Sequence, residues 1–305
     1  MAKQLSNKAS GTRGVQRLLC KQLDAALAAL HGEPGLSDEV VHTVRKQLKK
    51  VRASLRLLRP ALGSQTYTQE NAIYRDAARP FTHVRDAKVL MDTLDQLVAG
   101  NGEQAMALDS TPVRQALWED YQAIRCRVLA DDTLESAQAI LQTARRRAKQ
   151  WPVGPRGWSV LGAGLRRIYR RGRDAFRAVR EHPSDEHLHE WRKQVKYLWH
   201  QLQVLQPLQP ARITALADHA HTLADALGDD HDLAVLHQWL VEEADRFPDR
   251  NMVDALLGRI AYRRIALQAQ AMALGPCLYM EKPSVFVDRF RRDWRHWRNK
   301  SATRL

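Results

Sequence analysis

The sequence is poor in cysteine and has no long apolar run. Its 305 residues include three cysteines, Cys20, Cys126 and Cys277, which lie far apart and in no metal-binding or redox spacing. This usage is typical of a reducing cytoplasm, where thiols stay free. No apolar run approaches the about 18 residues that a membrane helix needs, and no signal-peptide hydrophobic segment follows the basic start. We therefore expect a cytoplasmic protein with no membrane partner.

Acidic residues are too few to balance the basic ones. The chain has 48 Lys and Arg against 34 Asp and Glu, which gives a formal net charge of +14. A hydrophobic content of 44% is ordinary for a globular protein, and the length suits one large or two ordinary domains. The excess of positive charge predicts a polyanionic partner.

Alternating apolar patterns bounded by hairpin turns are missing, and helical periodicity dominates. Helices are predicted over 15–30, 37–59, 68–79, 84–99, 112–130, 133–150, 158–181, 184–206, 210–227, 231–246, 250–274 and 283–298. The predicted fold class is therefore all-α. Residues 1–14 are predicted to form a basic flexible tail, and a joint near 151–157 to separate two halves, 15–150 and 157–300.

One helix occurs twice. Residues 37–60 and 184–207 share 11 of 24 positions, including Ser-Asp-Glu at the start, His-x-x-Arg-Lys-Gln-x-Lys in the middle and a closing proline. The serines are predicted to cap their helices and the prolines to end them. On a helical wheel the cations form one stripe beside the apolar edge, with no acid among them. Because like charges at this spacing repel each other, the stripe predicts a bound anion.

Three further groups of cations accompany the motif. Residues 84–90 match 230–236, so that Arg85 and His231 are candidate ligand groups, each followed by an aspartate. Asp86 and Asp232 are expected to cap or compensate the start of a helix. Arg75 and Arg79 form a small pair of cations. A five-arginine stripe over 158–181 favours forked recognition of anionic oxygens, and its members are Arg166, Arg170, Arg173, Arg177 and Arg180.

The doubled motif resembles the CHAD domain, the conserved-histidine α-helical domain family. The segments 85–90 and 169–173 fit this resemblance, which covers about residues 15 to 300. It implies two antiparallel helical bundles related by an internal pseudo-twofold duplication, whose basic residues face a shared cavity. It also implies binding of inorganic polyphosphate and, in bacteria, an association with polyphosphate granules.

The predicted polyphosphate-binding residues combine the motif positions with the neighbouring stripes. They are His42, Arg45, Lys46, Lys49, Arg52, Arg56, Arg75, Arg79, Arg85, Arg166, Arg170, Arg173, Arg177, His189, Arg192, Lys193, Lys196 and His231. The second half departs from the pattern, because Trp199 occupies the position of Arg52, and histidines occupy those of Arg75 and Arg85. Histidines gain charge at low pH, so binding is expected to be tighter at about pH 5.5 than at about pH 7.5.

Three other functions remain open at this stage. Any basic groove attracts nucleic acid through its phosphates, which makes sequence-independent nucleic-acid binding the main alternative. The pair His231-Asp232 is similar to the ligands of HD-type metal-dependent phosphohydrolases, but Arg85-Asp86 occupies the matching place and arginine does not bind metal. The histidines could also chelate a metal, although their neighbours are cations. No catalytic residue, metal or cofactor is predicted, and the oligomeric state is left open.

Overall fold

The computed structural model describes residues 11–31, 36–99, 109–130, 132–154 and 157–302. The helices are α1 (Gly11–His31), α2 (Asp38–Val98), α3 (Thr111–Ala130), α4 (Thr133–Gln150), α5 (Trp158–Glu181), α6 (Asp185–Leu205), α7 (Pro210–Glu242), α8 (Arg250–Tyr279) and α9 (Pro283–Ala302), with 3-10 turns at Gln206–Leu208 and Ala244–Arg246. Within these ranges 92% of the residues are helical and none forms a strand. The all-α prediction is confirmed.

Both motif helices begin at the predicted serine caps. The Ser37 hydroxyl accepts a hydrogen bond from the Val40 amide, and the Ser184 hydroxyl accepts one from the His187 amide. α6 ends at Leu205, just before Pro207. The first copy instead passes through Pro60 and breaks at Gly63, whose φ of 79° favours glycine. The segments of α2 on either side of Gly63 then pack against each other.

Two pairs of predicted helices are single helices in the structure. The segment of α2 after Gly63 continues through Pro80 to Val98, and α7 continues through Gly228 to Glu242. Pro80 and Gly228 are poor helix residues in isolation, but packing of an apolar face outweighs local propensity. Phe81 and Val84, for example, are buried directly after Pro80. Residues 11–14 of the predicted tail belong to α1, and residues 1–10 lie outside the described part of the chain.

Helices α1 to α4 pack on one another, and so do helices α5 to α9. α1 packs on α2 and α4, as α5 packs on α6 and α9, while α3 lies on α2 and α8 lies on α7. α2 also contacts α5, α6 and α7, so one hydrophobic core runs through both halves. Gly164 of α5 approaches the backbone of Leu57 so closely that an added Cβ would lie 2.6 Å from the Leu57 carbonyl oxygen. This contact brings α5 beside the first motif helix.

Candidate functional site

The two copies of the motif face each other at the centre of the molecule. Buried Gln201 of α6 donates a hydrogen bond to the carbonyl of Ala53 in α2, at 3.4 Å. Repulsion from Arg192 of α6 contributes to a lowered pKa of Arg45 in α2. Repulsion from Lys196 of α6 acts in the same way on the pKa of Lys49 in α2. We call these four residues the central cluster. Repetition of the motif has therefore placed equivalent positive charges close together.

Each arginine of the central cluster is held by a carboxylate. Arg45 pairs with Asp86 at 3.3 Å and also donates to the carbonyl of Phe81 at 3.4 Å. Arg192 forms a longer ion pair with Asp232, at 3.8 Å and without a hydrogen bond. The expectation that these aspartates cap helix starts was wrong, because both lie in the middle of long helices. They orient the motif arginines instead.

The lysines of the central cluster have unusually low pKa values. Desolvation first, followed by repulsion from Arg45, Lys196 and Arg192, lowers the pKa of Lys49 to about 7. Desolvation and Arg192 lower the pKa of Lys196 to about 8. The Lys49 side chain nevertheless remains exposed to solvent. Because Lys49 is exposed and repelled by the neighbouring cations, its charged form gains from a bound anion.

The motif histidines also have lowered pKa values. Burial is the largest cause for His42, His189 and His231, and the nearby Lys and Arg residues add to it. The pKa of His231 falls to about 4. The rings of His189 and His231 lie 4.4 Å apart between centroids. His231 therefore remains neutral at about pH 5.5 in the unliganded protein.

A second group of cations lies farther along the same helices. Arg56 is only 9% exposed, and its guanidinium lies 3.6 Å from the centre of the Tyr197 ring. Arg52 and Arg171 both lower its pKa, and within the described residues it forms no ion pair with a carboxylate. Repulsion from Arg59 and Arg171 lowers the pKa of Arg167 in α5. We call Arg56, Arg59, Arg167 and Arg171 the α5-side cluster.

Sequence reasoning missed Arg167 and Arg171. They lie on one border of the apolar face of α5, whereas the predicted stripe lies on the opposite border. The signal was their spacing of four residues beside buried Leu161, Leu165 and Ile168, but cations line both borders. Only the contact between Gly164 and Leu57 shows which border meets α2.

The predicted stripe of α5 does not join either cluster as a unit. Arg166 and Arg170 are exposed, and Arg170 reaches the α5-side cluster only through its effect on Arg167. Arg177 pairs with Asp174 at 3.5 Å. The charge of Arg173 lowers the pKa of buried Tyr169 and so partly offsets the effect of burial.

The remaining predicted residues border the clusters. Lys46 and Arg85 both lower the pKa of His42 by repulsion. Lys193 pairs with Glu190 at 2.5 Å. Arg52 donates to the Asn71 side chain at 3.2 Å. Arg75 and Arg79 are exposed, and both pair with the intervening Asp76. Lys193, Arg52, Arg75 and Arg79 therefore carry their own polar partners.

The described residues contain neither a candidate metal site nor a membrane span. No group of three or more His, Cys, Asp or Glu side chains in them is placed to hold a metal ion. His231 contacts His189, and Asp232 is committed to Arg192. No described helix combines the length and apolar character needed to cross a bilayer.

The chain belongs to the CHAD domain family, whose model matches residues 17–241. The family is known in general for polyphosphate binding, and its members are generally binding domains. The matched region contains both motif copies, the central cluster and the α5-side cluster, whereas α8 and α9 lie beyond it. A search of curated proteins gives no match.

Proposed function

We propose that this protein binds inorganic polyphosphate, without catalysis, in the groove between the two motif helices. The observation that carries the proposal is the pairing of equivalent cations, Arg45 with Arg192 and Lys49 with Lys196. Like charges in a partly desolvated groove destabilise the unliganded protein. A chain of phosphates removes this repulsion and releases its own counterions, so affinity falls steeply as salt rises.

The α5-side cluster extends the same binding surface. Arg56 lies seven residues beyond Lys49, which corresponds to about 10 Å along a helix. Its nearly buried guanidinium has cations and aromatic rings around it. A charge buried in this way is costly without an anionic partner. A flexible polyanion that contacts both clusters supplies one, and a short phosphate compound would contact only one of them.

Two helical bundles related by pseudo-twofold symmetry, 15–150 and 157–300, account for the groove. Matching contacts support this arrangement, because Arg45–Asp86 in the first half corresponds to Arg192–Asp232 in the second. The groove then lies beside the symmetry axis, where each copy of the motif meets the other. Polyphosphate binding of this kind would bring the protein to polyphosphate granules in the cytoplasm.

The surroundings of the clusters favour binding of phosphate over catalysis or base stacking. Asp86 and Asp232 lie against arginines, which supports a role in orienting those cations rather than in binding a metal. Single-stranded nucleic acids need free aromatic faces. Trp199 already stacks on His200 and makes a tilted ring contact with His221, and Tyr197 lies under Arg56. The aromatic rings nearest to the cations are therefore engaged within the protein.

A competition titration near physiological salt tests the ligand. Labelled long-chain polyphosphate is displaced with unlabelled polyphosphate, duplex DNA or ATP. We expect displacement by polyphosphate at concentrations at which DNA and ATP have little effect. Equal displacement by DNA, compared per phosphate, would overturn the proposal in favour of nucleic-acid binding. Release of phosphate from the bound polymer with Mg²⁺ or Mn²⁺ would contradict the absence of catalysis.

A matched pair of variants tests the site. Lys49→Gln with Lys196→Gln removes two charges from the central cluster, whereas Lys21→Gln with Lys149→Gln removes two exposed charges from α1 and α4. We expect the first variant to lose at least about tenfold in affinity and to reduce the salt slope by about two. Equal losses in both variants, with helix content unchanged by circular dichroism, would show that net charge alone attracts the polymer.

A further inference from the structure

The outward face of α8 carries an exposed apolar stripe. Its members recur at steps of three or four residues and fall on one side of the helix, and they are Gly258, Tyr262, Ile265, Ala269, Ala273, Pro276 and Met280. All seven are exposed, with Tyr262 at 78%, Ile265 at 69% and Met280 at 76% of their surface. Large apolar side chains exposed in one row indicate an interaction surface.

The inward face of α8 already packs on the rest of the molecule. Leu256, Ile260 and Leu267 are buried where α8 lies against α7 and α5. The helix is therefore anchored without using its outer stripe. The stripe also lies outside the region that matches the family, so the polyphosphate site does not account for it.

When two copies of the stripe are paired antiparallel about Ala269, the large side chains of one copy face small residues of the other. In an antiparallel pair of α8 helices centred on this residue, position i of one helix faces position 538 minus i of the other. Met280 then faces Gly258, where no atom lies within 4 Å of an added Cβ. Tyr262 faces Pro276 and Ile265 faces Ala273, while Ala269 faces its own copy. Each large side chain thus meets a smaller one.

Charge also selects the antiparallel arrangement. Residues 255–280 contain no Asp or Glu, and the cations beside the stripe are Arg259 and Arg263, near one end. A parallel pair would place each arginine against its own copy, which is unfavourable. In the antiparallel pair Arg263 and its copy lie on opposite sides of Ala269, about 12 helical steps or about 18 Å apart along the helices, and the copies of Arg259 lie farther apart still, so like charges are separated.

We propose that this stripe binds the same stripe of a second copy, which gives a symmetric antiparallel α8–α8 dimer. The stripe spans 22 helical steps, about 33 Å at the usual rise, and a helix width of about 10 Å gives roughly 330 Å² per copy. A standard interface buries about 800 Å² per partner. The dimer is therefore weak, with dissociation at micromolar or higher protein concentrations. Copies that also share one polyphosphate chain would associate more strongly through their raised local concentration.

Sedimentation equilibrium of the full chain, without polyphosphate, tests the dimer. The mean mass is expected to rise from 34.9 kDa towards twice that value as concentration increases. Ile265→Glu would bury two charges in the interface and should weaken dimerisation at least about tenfold. Ile140→Glu changes another exposed isoleucine, on α4, and should leave it unaltered. A constant monomer mass, or equal losses in both variants, would overturn the proposal.

Disulfide trapping tests the register. With Cys126 and Cys277 replaced by serine, Ala269→Cys places one thiol on the dimer axis, and Gln270→Cys places it off the axis on the same helix. We expect oxidation to cross-link the first variant at least about tenfold faster, since disulfides need Cα atoms about 4.4–6.8 Å apart. Equal cross-linking would exclude this register. Both tests omit polyphosphate, so they can fail while the proposed polyphosphate binding holds.

Discussion

The two halves line the proposed groove with the same motif cations. The second helical segment that borders it, which we call the wall, carries arginines in the first half and aspartates in the second half. In the first half the wall is the segment of α2 after Gly63, and in the second half it is α7. Arg75, Arg79, His83 and Arg85 in α2 correspond, 146 residues later, to His221, Asp225, Asp229 and His231 in α7. The arginine–aspartate pairs are the same in both halves. The duplication has thus kept the groups that orient the motif and has changed the charges around them.

The different charges of the two walls affect the pKa values of the paired lysines, Lys49 and Lys196. Asp232, Asp225 and Asp229 all raise the pKa of Lys196, whereas Asp86 is the only acid among the main influences on Lys49. This difference agrees with pKa values of about 8 and about 7. The second half neutralises part of its own positive charge, and the first half leaves its charge for a ligand. We therefore expect polyphosphate to lie closer to the first half.

The largest expected effect is a loss of affinity at alkaline pH. A polyanion binds the charged lysines, so affinity should fall as pH rises through about 7 at Lys49 and about 8 at Lys196. At about pH 9 only about 1% of Lys49 is protonated in the free protein, which predicts a loss of up to roughly a hundredfold from about pH 6. Titrations of labelled polyphosphate across this range, at constant salt, measure it.

Arginine supplies the control for this pH dependence. Lys49→Arg with Lys196→Arg keeps both charges, because arginine stays protonated throughout. We expect this variant to show a much flatter profile. A wild-type affinity that does not change with pH, or an equally steep profile in the arginine variant, would remove the lysines from the explanation.

A gain of about tenfold is expected when the acidic wall is neutralised. Asp225→Asn with Asp229→Asn removes two negative charges beside Lys196 and leaves Asp232 to hold Arg192. Each charge near a phosphate costs about 1 kcal/mol at 4 Å in water. Polyphosphate titration at about pH 6.5, where Lys196 is protonated in either protein, isolates this direct repulsion.

Two acids outside the groove control for net charge. Asp254→Asn with Asp288→Asn changes the charge equally at exposed positions of α8 and α9. If this variant bound polyphosphate as tightly as the acidic-wall variant, the contrast between the walls would have no role in binding.

A smaller difference, about fivefold, should separate the two faces of α5. Arg167→Gln with Arg171→Gln alters the face that meets Arg56 and Arg59, and Arg166→Gln with Arg170→Gln alters the face predicted from the helical wheel. Each partly exposed contact with phosphate contributes on the order of 0.5–1 kcal/mol. We expect the first variant alone to weaken binding of long-chain polyphosphate. Greater weakening in the second would place the polymer on the opposite side of α5.

The sequence was sufficient for the helices and the motif stripe, but not for the walls. Capping serines and a repeated pattern of cations are local features, so the sequence alone places His42, Arg45 and Lys49 on one capped helix. The roles of Asp86 and Asp232 depend on helices that continue through Pro80 and Gly228, which tertiary packing decides. Gly228 is itself informative, because an added Cβ would contact the ends of Lys196 and Arg192, at 3.7 and 3.8 Å. Its place under the groove could not be inferred from its propensity.

The smallest expected effect is on stability, and it too should differ between the halves. Both lysines have folded-state pKa values below the ordinary 10.5. Between about pH 7 and this value the unfolded state binds more protons, so their contribution to stability rises with pH, and at neutral pH their charge opposes folding. Without polyphosphate, Lys49→Gln should therefore raise the Tm at about pH 7 by about 1 °C, and Lys196→Gln by less. The effect is small because solvent screens the exposed Lys49 side chain. Calorimetry measures the change in Tm, with Lys21→Gln as the control variant. A lower Tm for Lys49→Gln would mean that the charge of Lys49 is already neutralised within the protein.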